Sequence, residues 1–134
     1  MIDRHNLFTF IPEEIIVVII DMFFSEYDES FFRELRKNIE EKDFVNFQKH
    51  VHKLKGAIVV FQDPVTTALA KELLEMATVI VAFYDPVTTV LSKKVDEITE
   101  KKLEAGLPQV CEDLKKNTLR LVEELKIIRK EFSA

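Results

Sequence analysis

Between Asp43 and Asp63 the apolar residues Phe44, Phe47, Val51, Leu54, Ile58 and Phe61 recur at steps of three, four, three, four and three. A strand would need alternation at period two. This spacing instead specifies a helix with one apolar face, sustained for five turns. The rest of the chain agrees. Only two glycines and four prolines punctuate 134 residues, which argues for long helices with short connections and against a sandwich or barrel. A chain of this length fits one domain with a core that needs no staple.

The other helices follow from their punctuation. Residues 1–11 read as a leader without period. Pro12 opens a first helix over about 12–25, with Glu13 and Glu14 on the positive end of its dipole. Ile15 to Phe24 is almost wholly apolar and reads as a buried core helix. It spans ten residues, against about 20 for a membrane span, and no basic flank marks it as a signal peptide. A second helix runs over about 29–41, capped by Asp28 or Ser30, with Phe31 or Phe32, Leu35 and Ile39 inward. Whether it is separate from the first or continues it through a bend stays open. Asp63-Pro64 starts a central fourth helix with Val65, Leu69, Leu73, Met76 and Ile80 on its buried stripe. The segment Phe61 to Thr67 returns as Phe83 to Thr89, two similar Asp-Pro helix starts rather than a solenoid. A fifth helix follows over about 86–104, with Val87, Leu91, Val95 and Ile98 inward. Gly106 and Pro108 interrupt it before a last helix over about 108–131. Val110 or Cys111, Leu114, Thr118, Leu121, Leu125, Ile128 and Phe132 give that last helix a stripe suited to near-antiparallel packing. The expectation is an all-α antiparallel four-helix bundle with one or two additional helices. Residues 12–82 carry the motif and 85–132 form the C-terminal helices.

Composition removes several classes of function. The formal net charge of −5 argues against a nucleic-acid binder. Cys111 is the only cysteine, so no intramolecular disulfide forms and a reducing compartment is expected: cytoplasmic, or nuclear in a eukaryote. One cysteine and three histidines make no structural zinc site, and no metal ligands are assigned. No nucleophile–base–acid set or phosphate loop is visible.

Chemistry concentrates in Gln48-Lys49-His50-Val51-His52-Lys53-Leu54-Lys55-Gly56-Ala57. At 100° per residue, His52 lies roughly 130° from the centre of the apolar stripe and faces solvent, whereas His50 lies about 70° away, at the edge of the core. Two histidines at i and i+2 do not share a face and so do not make a metal site. Gln48, Lys55 and Gly56 share the face of His52, at −4, +3 and +4. A neutral imidazole is a good nucleophile near neutral pH. Lys55 places an ammonium where phosphoryl oxygens would sit. Gly56 forgoes about 1 kcal/mol of helix propensity relative to alanine, and close approach of a partner is a sufficient reason. Lys49, Lys53 and Lys55 form a basic patch in an acidic chain, attractive to an acidic pocket. Val59 and Val60 point away from the stripe, either as an apolar docking rim or beneath another helix.

The run His52-Lys53-Leu54-Lys55-Gly56-Ala57 resembles the signature of the histidine-containing phosphotransfer (HPt) family of two-component phosphorelays: a His, any residue, an apolar residue, then Lys-Gly and small residues. The preceding Phe- and Leu-rich helix and the acidic turn Glu40 to Asp43 fit the wider pattern, and the likeness extends over about residues 12–80. It departs at Ile58, Val59 and Val60, where small polar residues are usual, at Gln62, where a second glycine is common, and in the extra segment 85–104. The resemblance implies that His52 is phosphorylated, with Lys55 and Gly56 in support. It implies a response-regulator receiver domain or a hybrid histidine kinase as partner, with magnesium bound by the receiver and no cofactor on this chain. The chain would be a monomeric phosphocarrier rather than a complete enzyme. Two other functions fit the same residues: an HPt-like module that docks a partner without transfer, and a helical oligomerisation domain using the last stripe.

Overall fold

The computed structural model describes residues 2, 7, 9, 11–84 and 97–132. Among them the regular structure is entirely helical, in five elements: α1 (Glu13–Glu26), α2 (Glu29–Glu40), α3 (Phe44–Val60), α4 (Pro64–Tyr84) and α5 (Glu97–Phe132). Most of the leader, the second Asp-Pro start and residues 86–96 of the expected fifth helix lie outside the described residues.

Aspartates divide the elements. Asp28 accepts from the Phe31 amide at 3.2 Å and Asp43 from the Asn46 amide at 3.3 Å, each satisfying one orphan donor of a first turn. Helices α1 and α2 are therefore two helices, and Asp28 rather than Ser30 is the cap. Pro12 stands one position before α1, and its carbonyl accepts from the Ile15 and Ile16 amides.

The core follows the α3 stripe. Phe44, Phe47, Val51, Leu54, Ile58 and Phe61 are all buried. Around them pack Ile16, Ile20 and Phe23 of α1, Phe32 and Leu35 of α2, Leu73 and Ile80 of α4, and Leu114, Leu121 and Leu125 of α5. Helix α4 is central, packed against both α3 and α5.

Three expectations are corrected. First, α1 is not a buried helix. It buries only Ile16, Ile20 and Phe23 and leaves Ile15, Val18 and Met22 about half exposed. No described helix is long and apolar enough to cross a membrane. Second, the buried stripe of α4 is Thr66, Ala70, Leu73, Ala77 and Ile80, while Val65 is exposed and Leu69 and Met76 are half-buried. The polar Thr66 is drawn inward by the Asp63 carboxylate. Its hydroxyl donates to Asp63 at 2.8 Å, and Arg120 of α5 donates to the same oxygen at 2.9 Å. Small Ala70 and Ala77 let neighbouring helices approach. Third, Gly106 and Pro108 do not end a helix, because α5 runs through both. An interior proline costs about 3 kcal/mol. Leu107, Cys111 and Leu114 continue one buried stripe across the proline and offset that cost. Gly106 marks close packing: a Cβ there would stand 3.3 Å from Met76 Cε of α4.

Candidate functional site

Helix α3 sorts its two histidines as the rotation of the helix dictates. His50 is half-buried. Its Nδ1 lies 3.1 Å from the Asn38 side-chain amide nitrogen, which donates to it, and its ring stands T-shaped to that of Phe31, with centroids 6.1 Å apart. Asn38 is itself buried on α2, a position the hydrophobic pattern does not disclose. His50 is thus held by packing and a polar partner.

His52 is exposed. Its ring makes no hydrogen bond or ion pair among the described residues, so both nitrogens are open to a visiting group. One turn on, Lys55 is half-buried and pairs with no carboxylate among the described residues. Gly56 is exposed, and a Cβ built on it would meet nothing within 4 Å. Among the described residues no contact requires a glycine there. Gln48, one turn before His52, donates through Nε2 to the Thr78 hydroxyl at 3.0 Å, and Thr78 donates to the Leu74 carbonyl at 2.8 Å. The Gln48 amide is therefore tethered to α4.

The basic patch divides. Lys49 is exposed and unpaired among the described residues. Lys53 lies toward α1, with its ammonium 3.5 Å from Glu26. Its carbonyl accepts from the Tyr27 hydroxyl at 3.3 Å. Burial, then the adjacent Glu26 carboxylate, pushes the Tyr27 phenol up to about 12, so it remains a donor. The cations left without an ion pair on the His52 face, among the described residues, are Lys49 and Lys55.

Val59 and Val60 also separate. Val59 is exposed, on the face of His52, beside a shallow cleft shared with Gln62, Thr67 and Lys71. Val60 is half-buried and lines an apolar groove with Ile19, Met22 and Tyr27. Val59 is therefore left uncovered, and Val60 is partly covered by α1. Val45 was missed. It is exposed and stands seven residues before His52, as Val59 stands seven after, so the two bracket the imidazole at about 10 Å on either side. Projecting the helix two turns each way from His52 would have found it. Thr78 could not be found that way, since it depends on the register between α3 and α4.

No group of three or more His, Cys, Asp or Glu side chains that could hold a metal occurs among the described residues. No family model, curated protein or solved structure matches the chain.

Proposed function

We propose that this chain is a phosphorelay intermediate that carries a phosphoryl group on His52. One observation carries the reading: an exposed imidazole stands beside an unpaired ammonium, Lys55, and an unobstructed stretch of backbone at Gly56. The likeness of residues 52–57 to the HPt signature supports it. So does Gln62, which occupies the position of that family's second glycine. Its φ of 57° lies in the left-handed region that favours glycine. The arrangement is read as the HPt type of antiparallel four-helix bundle, lengthened at its C-terminal end, and its compartment as the cytoplasm.

The chemistry needs little from this chain. The lone pair on an unprotonated His52 nitrogen attacks the phosphorus of an aspartyl phosphate on a receiver domain. The N–P bond forms as the P–O bond breaks, and the electron pair leaves with the aspartate carboxylate. Lys55 pairs with the phosphoryl oxygens. Magnesium on the receiver supplies charge neutralisation for the same oxygens. Val45 and Val59 give the partner an apolar foothold on both sides of the histidine, and Lys49 and Lys55 attract its acidic pocket.

The test mixes the protein with a receiver domain phosphorylated on its aspartate and follows the label, with His52→Gln alongside. Acid-labile label on the wild type and none on His52→Gln is the expected result. Equal labelling of the two proteins would refute the assignment. The exposed valines also suit a second reading, a docking module without transfer. Receiver binding that survives His52→Ala, with phosphohistidine never detected on the wild type, would favour that reading.

A further inference from the structure

We propose that Lys71 of α4 is a second cation of the His52 site, reaching the phosphoryl oxygens from the helix next to the one that carries Lys55. The inference rests on the phosphorelay reading and adds a residue from another helix to it.

A hydrogen bond and a shared cleft register α3 against α4. Gln48 bonds to Thr78 near one end. Near the other, Val59 shares its cleft with Thr67. Eleven residues separate the two positions on each helix, so antiparallel levels correspond one for one between them. Lys55 then stands at the level of Lys71, and His52 at that of Leu74 and Glu75. The step from Lys55 to His52 along the axis is about 4.5 Å. Packed helix axes lie about 8–10 Å apart, which a lysine stem leaning into the groove can bridge.

Lys71 is on the correct edge of α4, because it lines the cleft together with Val59 and Gln62. It is exposed and makes no ion pair among the described residues. Two lysines thus stand at one level of the α3–α4 pair, neither making an ion pair among the described residues, and the one carboxylate residue lining the cleft, Asp63, is buried and held by Arg120. Like charges so placed repel each other. An anionic group held between them turns that repulsion into attraction. The phosphoryl group on His52, one turn away, is an anion of that kind. Glu75 is exposed in the same row, at the level of His52. Its charge has the opposite sign and opposes the anion.

The experiment needs no partner. Phosphoramidate donates its phosphoryl group directly to histidine, the imidazole nitrogen displacing ammonia, and phosphorus NMR follows the rate of phosphohistidine formation. Lys71→Gln should slow the reaction about two- to fivefold, the rate equivalent of one exposed ion pair. Lys71→Arg should restore it. Glu75→Gln should accelerate it, and all three differences should shrink at high salt. A loss of packing would not produce opposite signs for two neighbouring surface residues. A labelled wild type with an unaltered Lys71→Gln rate, or a loss that high salt leaves intact, overturns the role of Lys71 alone. A wild type that forms no phosphohistidine with phosphoramidate or with a receiver overturns this inference together with the phosphorelay reading.

Discussion

Gly56 sits in the middle of α3, on an exposed surface, where an added methyl group would touch nothing within 4 Å. Alanine there should raise stability by about 0.5–1 kcal/mol, because the helical backbone loses less entropy on folding. On the proposed phosphorelay reading, the same methyl would stand between a receiver's backbone and the phosphoryl group. Gly56→Ala is therefore expected to melt at a higher temperature while accepting phosphate from a receiver more slowly. A variant that is both more stable and equally fast would remove close approach as the reason for the glycine. The facing of His52 and its kinship with Lys55 and Gly56 were legible in the sequence, because all three depend only on rotation about one helix. The tether of Gln48 to Thr78 and the Glu26 partner of Lys53 were not. They depend on neighbours distant in sequence, and no periodicity encodes those.

Asp63 shows how one residue organises two elements. Its carboxylate is fully buried at the start of α4, where it holds the Thr66 hydroxyl and the guanidinium of Arg120 on α5. Burial by itself would raise its pKa, but the hydrogen bond from Thr66 and the charge of Arg120 outweigh burial and hold it below the ordinary 3.8. A depressed folded-state value means that this contribution is present above the ordinary pKa and is lost as pH falls below 3.8 through the folded value. Asp63→Asn should cost about 1–2 kcal/mol at neutral pH, a figure kept modest because Arg120 is partly in water. Thermal melts between pH 7 and 2 should show the gap between wild type and variant closing in acid. A gap of constant size would mean that the charge on Asp63 contributes nothing. The Asp-Pro start of α4 was plain in the sequence, whereas its inward Thr66 was masked by the neighbouring Val65, a more apolar residue at a plausible helical spacing. Pro108 misled for the opposite reason. Local propensity argues for a break, and only the continuous burial of Leu107, Cys111 and Leu114 reveals why α5 carries on.

At the scale of the whole molecule, α3 gives its apolar face to the core and its opposite face to the site, so each side of this one helix has a separate task. The all-helical class was legible because the 3–4 rhythm recurs along the chain. The half-exposed apolar face of α1 was not, since an apolar run does not say which of its residues will find a neighbour. Cys111 follows from the same packing. It lies where α5 faces α2, in a hollow of about 230 Å³ floored by Phe32, Ile39 and Pro108. Burial, then Glu112, raises its thiol to about 11. As the chain's single sulfhydryl, it is an internal clock for the parting of those two helices. A thiol reagent at neutral pH should modify it far more slowly than a free peptide cysteine, at a rate set by opening of the seam. If the modification rate runs as fast as that of the unfolded chain, the α2–α5 contact does not shield the sulfur. If it is slow, one spectroscopic reading reports how often the native assembly breathes.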